Sequence, residues 1–162
     1  MTNGPRTPAA ATRPAAPPPE QALDPLRLRQ ALQQAMRQAG GADLHITDLR
    51  ITQLRRNTSR QRNPHPYTLC CEADLQPGPC GPVETRRFHA KACRDGASAR
   101  LAQDQGGLHL PALDLVAWAW PADPGLPQLP ALLDPDQTRR WTGQRASTVQ
   151  ALRHEPGCRA TL

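Results

Sequence analysis

Proline constrains this chain more than any other residue. Each one fixes φ and removes a backbone donor, so helices and inner strands must fit between prolines. Seven of the 19 prolines fall in the first 25 positions, and others space residues 121–135. Residues 1–22 are otherwise mostly Ala and Thr, with almost no large apolar side chain to offset the entropy of ordering. The 162 residues therefore predict a disordered Ala/Pro-rich tail over 1–22 and one modest domain over 24–162.

Asp24 before Pro25 predicts a helix start, with a capping oxygen followed by a proline at the first helical position. Leu28, Leu32, Ala35, Met36 and Ala39 recur at helical spacing up to Gly40-Gly41, which predicts a helix over 25–39. Leu44, Ile46, Leu49 and Ile51 lead into strand alternation over 50–56, and similar patterns cover 67–75 and 85–93. The polar turn 57–66 and the Gln76-Pro77-Gly78-Pro79 turn join them. Such short connections predict a three-stranded antiparallel meander and not parallel crossovers. Residues 97–105 predict a short helix ended by Gly106-Gly107, and 113–120 an apolar strand. Residues 137–141 predict a helical turn and 147–153 a last strand, before a further strand at 159–162. The fold class is α+β, an antiparallel sheet with flanking helices. The longest apolar stretch, near 110–120, is interrupted by Pro111 and Asp114 and is too short to cross a bilayer.

Twenty basic residues against 14 acidic ones give a formal charge of +6, which favours phosphate-bearing partners. Nineteen of the 20 are Arg, and Lys91 is the one lysine. Alternation over 86–94 puts His89, Lys91 and Cys93 on one side of a strand and Ala90, Ala92 and Arg94 on the other. Lysine there offers a phosphate a compact three-donor ammonium, where arginine imposes a planar fork. Five cysteines without a CxxC spacing fit a reduced, cytoplasmic chain. Cys70 and Cys71 point to opposite sides of their strand; joined by His65 or His89 they leave a zinc site open beside the alternative of small buried hydrophobes. Trp118 and Trp120, two apart, share a face suited to packing against a helix.

The order of strand 50–56, polar loop, strand 67–75 and lysine-bearing strand 88–93 resembles the small lobe of protein-kinase-like phosphotransferases, the group that includes aminoglycoside and choline kinases. Three pieces are similar to bacterial members: Arg87-Phe88-His89-Ala90-Lys91, Trp118-Ala119-Trp120-Pro121-Ala122-Asp123-Pro124, and the run from Leu152 through His154-Glu155 to Leu162. The resemblance implies that Lys91 holds the α- and β-phosphates of ATP. It places the glycine-free loop 57–63, with Thr58, Ser59 and Arg60, over those phosphates. It also makes Asp104 the acidic partner of Lys91 and sets Trp120 near the hinge, beside the adenine. A complete enzyme of this kind uses Mg²⁺ and transfers the γ-phosphoryl group to a small-molecule hydroxyl. The catalytic Asp and the metal ligands belong to a large lobe that residues 44–162 do not match. The chain is therefore expected to be inactive alone, a truncated or split enzyme. A separately encoded large lobe, or self-association through an apolar surface at Val116, Trp118, Trp120 or residues 126–133, would complete it. The alternative is a basic nucleic-acid-binding module using Arg50, Arg55, Arg56, Arg60, Arg62, Arg86 and Arg87, or a protein-interaction module.

Overall fold

The computed structural model describes residues 23–40, 43–57, 65–143, 148–149, 153–156 and 159–161. The expected tail 1–22, loop residues Thr58, Ser59 and Arg60, and Cys158 lie outside them. Helix α1 (Pro25–Gln38) begins as its sequence predicts, with the Asp24 side chain accepting from Leu26 N at 2.9 Å. Its buried face is Leu28, Ala31, Leu32, Ala35 and Met36.

Strands β1 (Leu44–Arg56), β2 (Tyr67–Pro77) and β3 (Glu84–Ala92) form the expected antiparallel meander. Helix α2 (Ser98–Gln105) follows, then β4 (Leu108–Leu110), a 3-10 turn at Pro111–Leu113 and β5 (Leu115–Ala119). The sheet has five antiparallel strands in the order β1-β2-β3-β5-β4. Helices α3 (Leu129–Leu132) and α4 (Pro135–Thr142) come next, and β6 (Arg153–Glu155) pairs with β7 (Arg159–Thr161) in a separate hairpin. The last-strand expectation over 147–153 needs correction. Thr148 and Val149 belong to no strand and Arg153 opens β6, while 147 and 150–152 lie outside the described residues.

Period-two alternation gives the sheet two unlike faces. Leu69, Cys71, Ala73 and Leu75 of β2, Phe88, Ala90 and Ala92 of β3, and Leu115 and Ala117 of β5 all point toward α1 and form one core with it. Each fully buried Leu in that layer contributes about 1.5–3 kcal/mol of transfer free energy. Gln33 on α1 donates to Leu44 O at 2.7 Å and accepts from Ile46 N, which docks the helix on the edge strand.

On the opposite face α2 is fixed from outside its own sequence. Asp114, in the left-handed region at φ 49°, accepts from Gly96 N at 3.0 Å and from Ser98 N at 3.1 Å, satisfying donors at the helix start. Ser98 Oγ lies 3.0 Å from His109 Nε2 of β4. Gly107, at φ 102°, leaves the space that Trp118 fills, since a Cβ there would sit 2.7 Å from the indole Nε1. The indole donates to Gln105 O at 3.5 Å. Val116 is 0% and Trp118 4% exposed, which corrects the expectation that they form an apolar surface for self-association. No helix among the described residues is long and apolar enough to cross a membrane.

Candidate functional site

Arg87, His89 and Lys91 project from β3 onto the face away from α1. Strand register places Cys70 and Trp118 on either side of His89, and Thr68 and Val116 on either side of Lys91. The side chains form a column. The Lys91 ammonium lies 5.6 Å from the centre of the Trp118 ring, a cation–π distance. Trp118 stacks on His89 with centroids 5.3 Å apart and planes 19° apart. His154 of β6 approaches His89 edge-on at 5.6 Å and packs against Trp120 at 4.6 Å.

Asp123 lies beneath this column. The proline-rich turn after β5 carries it inward, and Gly125 N donates to its Oδ1 at 2.9 Å. His154 Nε2 donates to Oδ2 at 2.8 Å. His89 Nε2 is 4.0 Å from Oδ1, too far for a hydrogen bond, and is buried without a hydrogen-bond partner among the described residues. Burial pushes the His89 pKa down to about 4. The Asp123 charge pulls the other way, while His154 and Lys91 add to the lowering. The imidazole is thus neutral near pH 7. Burial, and then the Asp123 charge, raise the Cys70 thiol above its ordinary value, so it stays protonated, 3.8 Å from Gln53 Oε1.

A cavity of about 190 Å³ opens beside the column, and its walls include Gln53, Cys70, Glu72, His89, Trp120 and His154. Of the residues singled out from sequence, Trp120 lines this cavity and Lys91 stands on the same face, two residues along β3 from His89. Asp104 is elsewhere in its bonding: it is exposed on α2 and pairs with Arg100 at 3.6 Å. Lys91 is half-buried and makes no ion pair among the described residues. The i,i+4 spacing brings Asp104 to Arg100 along one helix face, where the resemblance had expected it beside Lys91.

The arginine cluster is largely matched by carboxylates. Arg50 lies within 4 Å of Asp48, Glu72 and Asp74. Arg55 meets Glu155, Arg86 meets Glu84, and Arg87 meets Glu72. Arg60 and Arg62 lie outside the described residues. His65 Nδ1 sits 3.0 Å from Ala92 O and 3.9 Å from Cys93 Sγ. Among the described residues no three His, Cys, Asp or Glu side chains gather as a metal site, which leaves the zinc alternative without a ligand set.

Asp123 and His154 are the residues sequence reasoning passed over as site members. Asp123 falls in the 118–124 piece and His154 in the 152–162 piece that resemble bacterial phosphotransferases, and the resemblance attaches no role to either. Their convergence across 31 positions has no local signature. No protein-family model, curated protein or solved structure matches the chain.

Proposed function

We propose that the face carrying Lys91 is a nucleotide-binding surface, and that the chain is the phosphate-holding small lobe of a kinase-like phosphotransferase. One observation carries the reading. The chain's only lysine stands half-buried on an ordered inner strand, braced by an indole and without an ion-pair partner among the described residues, next to a polar cavity flanked by Trp120. An unneutralised ammonium with three donors suits the α- and β-phosphates of ATP, and the cavity takes a flat heteroaromatic base. Desolvation by the indole strengthens the attraction for an incoming anion.

In the completed enzyme a substrate hydroxyl attacks the γ-phosphorus, ADP leaves, and the hydroxyl proton passes to an aspartate of the large lobe. Lys91 orients the phosphates in that step. The described residues supply no cluster of carboxylates that fits Mg²⁺. The nucleic-acid alternative is weakened by the carboxylates that neutralise Arg50, Arg55, Arg86 and Arg87, because phosphate neutralisation needs uncommitted cations.

Calorimetric titration of the full chain with ATP tests the reading. Weak binding is expected, with a Kd of roughly millimolar, weakened about tenfold or more by Lys91→Ala at unchanged circular dichroism. No turnover onto an acceptor is expected from the chain alone. Equal affinity of wild type and Lys91→Ala overturns the proposal, as does complete absence of ATP binding.

A further inference from the structure

Strand β6 reaches across the polar face and is fastened on both sides. His154 bonds Asp123, in the turn after β5, and the next residue, Glu155, pairs with Arg55 of β1 at 3.7 Å. The two fastenings differ in strength. The Arg55 side chain is 56% exposed, so water screens that pair and its contribution is small. The Asp123 side chain is 0% exposed. A carboxylate removed from water forms charge-assisted hydrogen bonds about twice as strong as neutral ones. Gly125 N also holds the other carboxylate oxygen at 2.9 Å, which orients the buried acceptor within its own turn. His154 is both the residue that Asp123 grips and a wall of the cavity, with Trp120 against its ring.

We infer that β6 is a strap drawn over the cavity by the His154–Asp123 bond, and that Asp123 is a positioning residue that sets how fast a ligand enters and leaves. Asp123 itself is not among the residues that line the cavity, and it acts through His154. Breaking the bond frees the imidazole from its anchor and lets β6 lift, which widens the mouth while Lys91 stays in place on β3. The identity of the ligand as a nucleotide rests on the reading above; the strap does not.

The experiment compares the full chain with Asp123→Asn, which keeps an acceptor for Gly125 N and removes the charge, and with His154→Ala. Hydrogen exchange of the backbone amides at 153–155 reads the strap. Stopped-flow tryptophan fluorescence with ATP reads entry and exit. Both variants are expected to exchange about ten- to a hundredfold faster at 153–155, with β2 and β3 unchanged. ATP association and dissociation should both accelerate by about tenfold, with Kd moving less than either rate. Should Asp123→Asn not fold, His154→Ala carries the test. Unchanged exchange at 153–155 overturns the strap whatever ATP does. Faster exchange with unchanged ATP rates overturns the gating role. Failure of the wild type to bind ATP removes the nucleotide reading and its gating, and exchange still decides the strap.

Discussion

The two faces of the five-stranded sheet are built by opposite means, one buried along its length and the other closed over chiefly at His89, Val116 and Trp118. Toward α1 the layer is aliphatic, and Leu69, Ala73, Ala90 and Leu115 are each no more than 1% exposed. Toward α2 and β6 the layer is built from His89, Trp118, Asp123 and His154, with Lys91 at its margin. The first face carries stability through dispersion and water exclusion, which depend on buried apolar area and packing and not on charge. The second holds groups whose charge state matters, and holds one of them, His89 Nε2, without a hydrogen-bond partner among the described residues. A sheet that served only as scaffold would gain from filling both faces with aliphatic side chains. The difference gives stability to the aliphatic face and fits the proposal that the polar face binds the ligand.

The largest effect that can break this division is on the aliphatic face. Phe88→Ala should cost about 3–5 kcal/mol in denaturant unfolding, through lost transfer energy and the cavity left behind. A cost below about 1 kcal/mol would mean that the core does not lie where the alternation puts it.

The next effect belongs to the polar face and depends on pH. His89 has a folded-state pKa lowered to about 4 from 6.5, so the native state resists protonation that the unfolded chain accepts. Stability contributed by the neutral imidazole is complete above pH 6.5 and is lost as pH falls toward 4. The loss is on the order of 3 kcal/mol. Asp123, His154 and Lys91 are the charged groups facing it. Unfolding free energies measured across this window in wild type and His89→Gln should converge on acidification, and parallel curves would contradict the assignment.

Gly107→Ala should destabilise by about 1–3 kcal/mol and shift tryptophan fluorescence, because it adds a Cβ at φ 102° within 2.7 Å of Trp118 Nε1. An unchanged emission spectrum would show that Trp118 is not seated by that glycine. The smallest effect is on α2, where Asp104→Ala should change stability and ATP affinity by no more than about 0.5 kcal/mol, since it removes only the exposed pair with Arg100. A large loss of ATP affinity would restore Asp104 as the partner of Lys91.

The aliphatic face was legible in the sequence because it is periodic. Leu69, Cys71, Phe88 and Ala90 alternate with polar residues, and the Asp24-Pro25 start of α1 is a local signal whose bond to Leu26 N is present. Strand β4 was not foreseen. It is three residues long, starts directly after Gly107, and gains its place from pairing with β5 and not from its own propensity. The polar face was legible only in part. Alternation put His89 and Lys91 together, and Trp118 and Trp120 on one side, but long-range packing decides their partners. Asp123 sits in a proline-spaced segment, and nothing in its neighbourhood announces that it is buried under an imidazole from β6. Asp104, expected beside Lys91, pairs with Arg100 one turn away on its own helix, a contact that local i,i+4 spacing supplies.

The division of labour between the faces is tested most directly by titrating isotope-labelled protein with ATP and following backbone amide and indole N–H resonances. The account predicts shifts concentrated at His89, Lys91, Trp118, Trp120 and His154, with the amides of α1 and the core-facing indicators Leu69 and Ala73 nearly still. Shifts centred on α1 or along the outer edge of β1, or no shifts at millimolar ATP, would contradict it.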